Sequence, residues 1–264
     1  FFKQKTAYEI PKRDWSSDVC SSDLADPGSA RIDLIKAHPF GEIERSGRSV
    51  EFDEVRLLAP VLPSKVCAFG RTYAEHAKEL GNEVAQEPLL FLKPSTAVCG
   101  PGDTIRLPEL SDDVQHEAEL AVVIGSLCRH VPVERALEVV LGFTCANDVT
   151  ARDLQRRDGQ WGRAKGFDTF APLGPWIETA IDPSDLEVSC VVNGGRVQHG
   201  RTSQMVFSIA ELIAYTSSAM TLLPGDVILT GTPAGVSTLR DGDIVEVAIE
   251  GLGRLVNPVA KEER

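Results

Sequence analysis

Glu117, Glu119 and Asp148 are three carboxylates whose type and spacing could hold a metal ion. The first two stand in His116-Glu117-Ala118-Glu119-Leu120, ahead of the apolar run Ala121-Val122-Val123-Ile124 and a turn at Gly125. Side chains on a strand alternate between faces, so Glu117 and Glu119 point the same way. The apolar run reads as a strand buried on both faces, which sets the two carboxylates at the edge of a core. Two negative charges held side by side there repel, and leaving water costs each of them more. A divalent cation resolves both problems. Asp148, at the end of Phe143-Thr144-Cys145-Ala146-Asn147-Asp148, could complete an all-oxygen set suited to a hard ion such as Mg2+ or Mn2+. The bland alternative is that Glu117 and Glu119 form one solvated face of an amphipathic strand.

A second pair lies upstream. His76 and Glu79 are three apart in Ala74-Glu75-His76-Ala77-Lys78-Glu79-Leu80-Gly81, a short helix stopped at Gly81, so they share a helix face. A carboxylate beside an imidazole fixes its tautomer and raises its basicity, as a general base acting on water requires. A surface His/Glu pair on a solvated helix is the competing reading. Lys93 closes the apolar stretch Pro88 to Pro94, either snorkelling to water or facing an anionic ligand. Five basic residues between Arg152 and Lys165 suggest a local anion site on a polar loop, Arg156 to Gly162, and Trp161 with its glycines suggests that the loop is structured.

The elements that must position these groups are mainly strands. Residues 25–63 carry short apolar pieces broken by Pro and Gly, at most a short helix and one or two strands, ending at Pro60 and Pro63. Lys65 to Gly70 and Pro88 to Lys93 read as core strands, and Val133 to Leu141 has helical spacing. Further on, Leu186 to Val192 alternates into a turn at Asn193-Gly194-Gly195 and returns. Ser208-Ile209-Ala210-Glu211 is a capping box opening a helix to about Met220. Val227 to Thr230 runs into Gly231-Thr232-Pro233-Ala234-Gly235, a loop whose backbone could approach a ligand closely. Asp243 to Glu250 alternates as a half-exposed strand. No G-x-G-x-x-G follows a strand, and there is no P-loop, no G-x-S-x-G and no internal repeat.

Composition narrows the function classes. With 264 residues, 42% hydrophobic and 25% charged, the chain has an ordinary globular profile and room for one large domain plus a small one. A net charge of -12 argues against nucleic acid or an anionic membrane as partner, and no window approaches a membrane span. An acidic substrate stays open, provided the site supplies its own cations. Six cysteines without C-x-x-C spacing read as free thiols of a reducing cytosol, which places the protein in the cytoplasm. Residues 1–24, FFKQKTAYEIPKRDWSSDVCSSDL, read as translated sequencing-adapter DNA that replaces the natural start, and carry no functional argument.

In order, the blocks GRTYAEHAKELGN, EPLLFLKPSTAVCGPGD, HEAELAVVIG, GFTCANDVTARDLQ, AKGFDTFAPLGPW, TLLPGDVILTGTPAG and IEGLGRLVNPV resemble the fumarylacetoacetate hydrolase family, in the bacterial branch of acylpyruvate hydrolases, 2-hydroxyhepta-2,4-diene-1,7-dioate isomerases and related decarboxylases. The resemblance spans roughly Val61 to Val259. It implies an α+β, mainly β fold, a mixed β-sandwich roll with peripheral helices over 64–264, and a homodimer. It also implies one Mg2+ or Mn2+ per subunit on Glu117, Glu119 and Asp148, a base pair of His76 with Glu79, and Lys165 as the cationic stabiliser. Arg71, Tyr73, Arg152, Gln155, Gly231, Thr232 and Pro233 would contact substrate. Three positions depart from the pattern: Thr72 for Asn, His116 for an aromatic residue, and Ser237 for Gly.

The chemistry so implied is hydrolysis of a C–C bond in an acylpyruvate-like 2,4-dioxo acid, through an enolate that the cation stabilises, in aromatic-compound or amino-acid catabolism. An isomerase or a 2-oxo dicarboxylate decarboxylase would pass through the same enolate. A non-catalytic metal-binding protein on the same fold is the remaining alternative.

Overall fold

The computed structural model describes residues 9–11, 31–36, 40 and 43–262. The chain divides into two units between Leu57 and Leu58, ahead of the punctuation at Pro60 and Pro63. The first unit is an antiparallel sheet of β1 (Glu9–Pro11), β2 (Arg31–Ile35) and β3 (Arg45–Glu51), in that order, followed by a 3-10 turn at Phe52–Glu54. Strand β2 is central, and Lys36 N–H donates to the Glu44 carbonyl at 2.8 Å to close its hairpin with β3. The adapter reading of residues 1–24 falls outside the described residues except at Glu9–Pro11.

The second unit contains, in chain order, β4 (Val66–Gly70), α1 (Ala74–Glu79), β5 (Leu89–Lys93), β6 (Val98–Cys99), β7 (Ile105–Leu107), β8 (Val114–Gln115), β9 (Ala118–Ile124), β10 (Val140–Asn147), β11 (Thr150–Ala151), α2 (Arg152–Asp158), α3 (Trp161–Lys165), β12 (Ala171–Glu178), β13 (Glu187–Val192), β14 (Gly195–Arg201), α4 (Ile209–Ala219), β15 (Val227–Leu229), β16 (Ile244–Ile249) and β17 (Gly253–Lys261). Seven strands form one mixed sheet in the order β5-β4-β15-β9-β10-β12-β6, and five form a second in the order β14-β13-β16-β17-β7. The result is the mainly-β sandwich roll with short peripheral helices that the family resemblance implies.

Strand β9 is where the two faces of the sheet divide. All seven of its residues are buried. Leu120, Val122 and Ile124 join one hydrophobic cluster with Val188, Val245, Val247 and Leu255 of the second sheet. Each such side chain contributes about 1.5–3 kcal/mol by leaving water, so this face fixes the register of the strand. The alternate residues, Glu119, Ala121 and Val123, must then face the other way.

Local chemistry explains the remaining elements. Asn193 and Gly194, at φ 50° and 81°, make the left-handed two-residue turn between β13 and β14. The Ser208 capping box forms as expected: its Oγ accepts from Glu211 N–H at 3.2 Å, and Glu211 returns the bond at 2.7 Å. Two expectations are corrected. Val133 to Leu141 is not one helix but a 3-10 segment, Val133–Val139, that gives way to β10, because pairing with β9 claims Val140 onward. The polar loop expected from Arg156 to Gly162 is the end of α2 and the start of α3, joined at Gly159 in the left-handed conformation. Five cysteines are free, Cys67, Cys99, Cys128, Cys145 and Cys190, and Cys20 lies outside the described residues. No helix among the described residues is long and apolar enough to cross a membrane.

Candidate active site

Strand register brings the three carboxylates together. β10 runs antiparallel to β9 with Ala146 opposite Glu119 and Asn147 opposite Ala118. Asp148 follows directly, and its N–H donates to the Glu117 carbonyl at 2.9 Å. One ligand oxygen from each of Glu117, Glu119 and Asp148 lies within 4.8 Å of the others, and all three residues are buried. The solvated-face reading of Glu117 and Glu119 is thereby removed.

Three buried cations surround this cluster. Lys165, from α3, donates to Asp148 Oδ2 at 2.6 Å, to Glu117 Oε2 at 2.9 Å and to Thr150 Oγ1 at 2.8 Å. Arg152, from the start of α2, donates to Glu117 Oε1, to Gln115 at 2.9 Å and to Gln155 at 2.6 Å. Lys93, at the end of β5, donates to Asp148 Oδ1 and to the Val149 carbonyl at 3.2 Å. Its side chain is fully buried, so it faces an anion and does not snorkel. Of the five basic residues between 152 and 165, only Arg152 and Lys165 serve the cluster. Arg157 and Arg163 pair with Asp158, and Arg156 lies 3.7 Å from Asp113.

Charge and burial set the protonation states. Burial pushes the Glu117 carboxyl up, but Lys165 and Arg152 outweigh it and hold the group well below the usual range. Glu119 has no cation partner among the described residues. Burial, then the charges of Asp148 and Glu117, push it well above the usual range, opposed in part by Lys165 and the Gly231 N–H. Burial lowers the Lys93 ammonium, with Asp148 partly offsetting it. For Lys165 burial also lowers, but Asp148 and Glu117 together raise it further.

The donor set fits a divalent cation. It is all oxygen and buried, and among the described residues the Glu119 carboxylate accepts a single hydrogen bond, from Gly231 N–H at 2.6 Å. With all three carboxylates ionised the three cations balance them. A bound divalent ion would therefore leave the cluster net positive, which suits an anionic ligand in an otherwise acidic protein.

The base pair sits on the same cavity. His76 Nδ1 lies 3.1 Å from Glu79 Oε2, and Gly235 N–H reaches the Glu79 oxygens at 3.0 and 3.2 Å. An imidazole facing a carboxylate donates from that nitrogen, which leaves the Nε2 lone pair of His76 free. The cavity has a volume of about 400 Å³, and its lining includes His76, Glu79, Glu117, Glu119 and Lys165. Arg71, Arg152, Gln155 and Thr232 of the expected substrate contacts also line it. Tyr73, Gly231 and Pro233 are not among the residues that line it. The Tyr73 hydroxyl is buried without a partner among the described residues, and burial and then Glu119 push its ionisation up. The Pro233 carbonyl accepts from Gln198 at 2.7 Å.

Two residues of this centre, Lys93 and Gln198, lie outside the set that the family resemblance implies, although an anionic ligand is one of the two readings of Lys93 in the sequence. Lys93 ends a strand that an apolar pattern finds, but its partner Asp148 is 55 residues away. Gln198 is buried on β14. Its Oε1 takes Ala118 N–H at 3.0 Å and faces His116 Nδ1 at 2.9 Å, while its Nε2 donates to Thr232 Oγ1 at 2.8 Å and to the Pro233 carbonyl. His116 Nε2 in turn lies 2.8 Å from Ser237 Oγ. Since Gln198 presents its oxygen, His116 donates from Nδ1 and accepts from Ser237. Burial lowers the His116 pKa, keeping it neutral. Thr72 donates to the Thr230 carbonyl at 2.7 Å.

Such a fold and such a centre define a class. Residues 65–260 match the fumarylacetoacetate (FAA) hydrolase C-terminal family, and the chain belongs to it. Residues 24–60 match a second model, Rv2993c-like, N-terminal. Among known proteins, the chain is 51% identical over 243 residues to Protein Rv2993c of Mycobacterium tuberculosis, covering 91% of this chain and 92% of that one. It is similar to the structure of 5-carboxymethyl-2-hydroxymuconate delta-isomerase from Mycobacterium smegmatis, at TM-score 0.87 and 50% identity over 97% of this chain and 95% of that one. A third likeness, at TM-score 0.86 and 48% identity over 91% and 92%, is to 2-hydroxyhepta-2,4-diene-1,7-dioate isomerase from Mycobacterium marinum.

Proposed function

We propose that this chain is a divalent-cation-dependent enzyme that cleaves a C–C bond of an acylpyruvate-like 2,4-dioxo acid by hydrolysis. The observation that carries the reading is one cavity lined at once by Glu117, Glu119 and Lys165 of the acidic cluster and by the oriented pair His76 and Glu79. A Mg2+ or Mn2+ held by Glu117, Glu119 and Asp148 would supply Lewis acidity toward the adjacent carboxylate and keto oxygens of the substrate. His76, oriented by Glu79, takes a proton from water, and the hydroxide attacks the distal carbonyl. The C–C bond breaks with its electron pair passing to the pyruvate fragment as an enolate. Lys165, fixed by three acceptors, faces that charge with its own.

The likeness to two proteins named as isomerases favours a second reading, in which the same base moves a proton between carbons of a related dioate. The full chain, assayed with Mg2+ by loss of enol absorbance from a panel of acylpyruvates, separates the two. Chelator-sensitive formation of pyruvate and a carboxylic acid supports hydrolysis. A spectral change without cleavage products assigns the isomerase, and cleavage that survives chelation overturns the metal-dependent reading.

A further inference from the structure

The three carboxylates of the acidic cluster are each half committed. Glu117 Oε1 accepts from Arg152, Asp148 Oδ1 from Lys93, and Glu119 Oε2 from the Gly231 N–H at 2.6 Å. The other oxygens of Glu117 and Asp148 share one donor, Lys165, at 2.9 and 2.6 Å. Each carboxylate is thereby left with one oxygen for an ion that enters through the cavity.

Lys93 and Lys165 differ in what they can do when that ion arrives. Lys165 lines the cavity, which gives its flexible stem room to yield. Lys93 does not line it, and its side chain is fully buried. Its ammonium also donates to the Val149 carbonyl at 3.2 Å, and its backbone is fixed on β5 opposite Val66 of β4. Turning Asp148 Oδ1 toward an ion would leave a buried ammonium unpaired beside a second cation, with no water to relieve it.

We propose that Lys93 sets the choice of cation: by keeping Asp148 Oδ1 for itself, it holds this ligand to a single oxygen and favours Mg2+ over Ca2+. The inference rests on the reading of Glu117, Glu119 and Asp148 as a divalent-cation site. Ca2+ takes about six to eight oxygens in a flexible shell, and a carboxylate can supply two of them at once. Mg2+ demands a tight octahedron, keeps several waters in it, and gains nothing from a second oxygen of the same carboxylate. Three single oxygens with open positions between them therefore suit the smaller ion. Lys93 acts here through Asp148, as a positioning residue that touches neither substrate nor ion.

Calorimetric titration of the metal-free full chain with Mg2+ and with Ca2+ tests it through the ratio of the two affinities, compared between the unaltered protein and Lys93→Met. Loss of the ammonium's charge tightens both ions alike and cancels in the ratio. The freed oxygen serves Ca2+ alone, so the ratio moves toward Ca2+ by about tenfold or more. Lys165→Met frees oxygens that either ion can use, so it tightens both and leaves the ratio where it was. An unmoved ratio in Lys93→Met, or an equal shift in Lys165→Met, overturns the role of Lys93 while the cation site stands. If neither ion binds the unaltered protein, the divalent-cation reading falls and takes the proposal with it. Should Lys93→Met not fold, infrared spectra of the unaltered chain decide. Its carboxylate stretches with Ca2+ show single-oxygen binding only, and a two-oxygen signature overturns the proposal.

Discussion

Replacing Lys165 by Met tests whether the acidic cluster is organised for a cation. Lys165 is 2% exposed, and its ammonium contacts both Glu117 and Asp148 within 2.9 Å. Met keeps the length of the stem and removes the ammonium, which lies 5.0 and 5.9 Å from the Phe91 and Trp161 ring centres. Each carboxylate contact is worth roughly 6 kcal/mol at an effective dielectric of about 20, before the desolvation of the ammonium is subtracted. The net loss on breaking a buried ion pair from one side is about 3–5 kcal/mol. At about 2–4 °C per kcal/mol for a chain of this size, Lys165→Met lowers the metal-free melting temperature by roughly 6–20 °C.

The same vacancy frees lone pairs on Glu117 and Asp148, so Mg2+ binds the variant more tightly than it binds the unaltered protein. Because a ligand of the native state stabilises in proportion to the logarithm of its saturation, a Mg2+ titration followed by differential scanning calorimetry restores more melting temperature to Lys165→Met. Turnover is nonetheless lost, since the charge facing the enolate is gone. An unchanged metal-free melting temperature, or equal Mg2+ stabilisation of both proteins, would refute the reasoning.

Glu119→Ala abolishes metal-dependent turnover and weakens Mg2+ binding while leaving the fold intact; full activity with unchanged Mg2+ affinity in calorimetry removes Glu119 from the ligand set. His76→Ala lowers hydrolysis by about 10²- to 10⁴-fold and spares decarboxylation of oxaloacetate if any is present; equal loss of both, measured by coupled pyruvate detection, shows that His76 does not serve water specifically. The raised pKa of Glu119 makes cation binding release a proton and tighten as pH rises toward that value. By the same linkage, the stability due to neutral Glu119 is complete below the ordinary carboxyl value and is lost as pH rises through the raised one, so the metal-free protein melts lower at high pH and Mg2+ corrects it. Calorimetry in buffers of different ionisation enthalpy reads the proton directly, and a pH-independent Mg2+ affinity contradicts it.

The strands were legible because their apolar runs have a cause that sequence records. Ala121-Val122-Val123-Ile124 is buried on both faces, and the parity of that run alone sends Glu117 and Glu119 to one side. The pairing of His76 with Glu79 was legible for a similar reason, since helix spacing is local. The segment after Val133 was not, because its period of apolar residues fits a helix while the long-range ladder with β9 takes Val140 onward. α2 and α3 are seven and five residues long, too short for periodicity to distinguish them from a polar loop.

What escaped the sequence is the set of bonds that cross between distant strands. Lys93 looks like any lysine at a strand end until Asp148 is placed beside it. His116 and Ser237 stand out as separate departures from the family pattern, yet they are hydrogen-bond partners across 121 residues. Gln198 joins them, with both lone pairs and both protons of its amide engaged. One end of that amide holds Ala118, the residue between Glu117 and Glu119. The other holds the loop whose Gly231 and Gly235 N–H groups fix Glu119 and Glu79. A neutral amide can do this where a charged group could not, because it donates and accepts at once without adding to the charges of the cluster. One uncharged side chain on the second sheet thus ties the strand that carries Glu117 and Glu119 to the loop that fixes Glu119 and Glu79, while strand register and the cations Lys165, Arg152 and Lys93 hold the carboxylates together against their mutual repulsion.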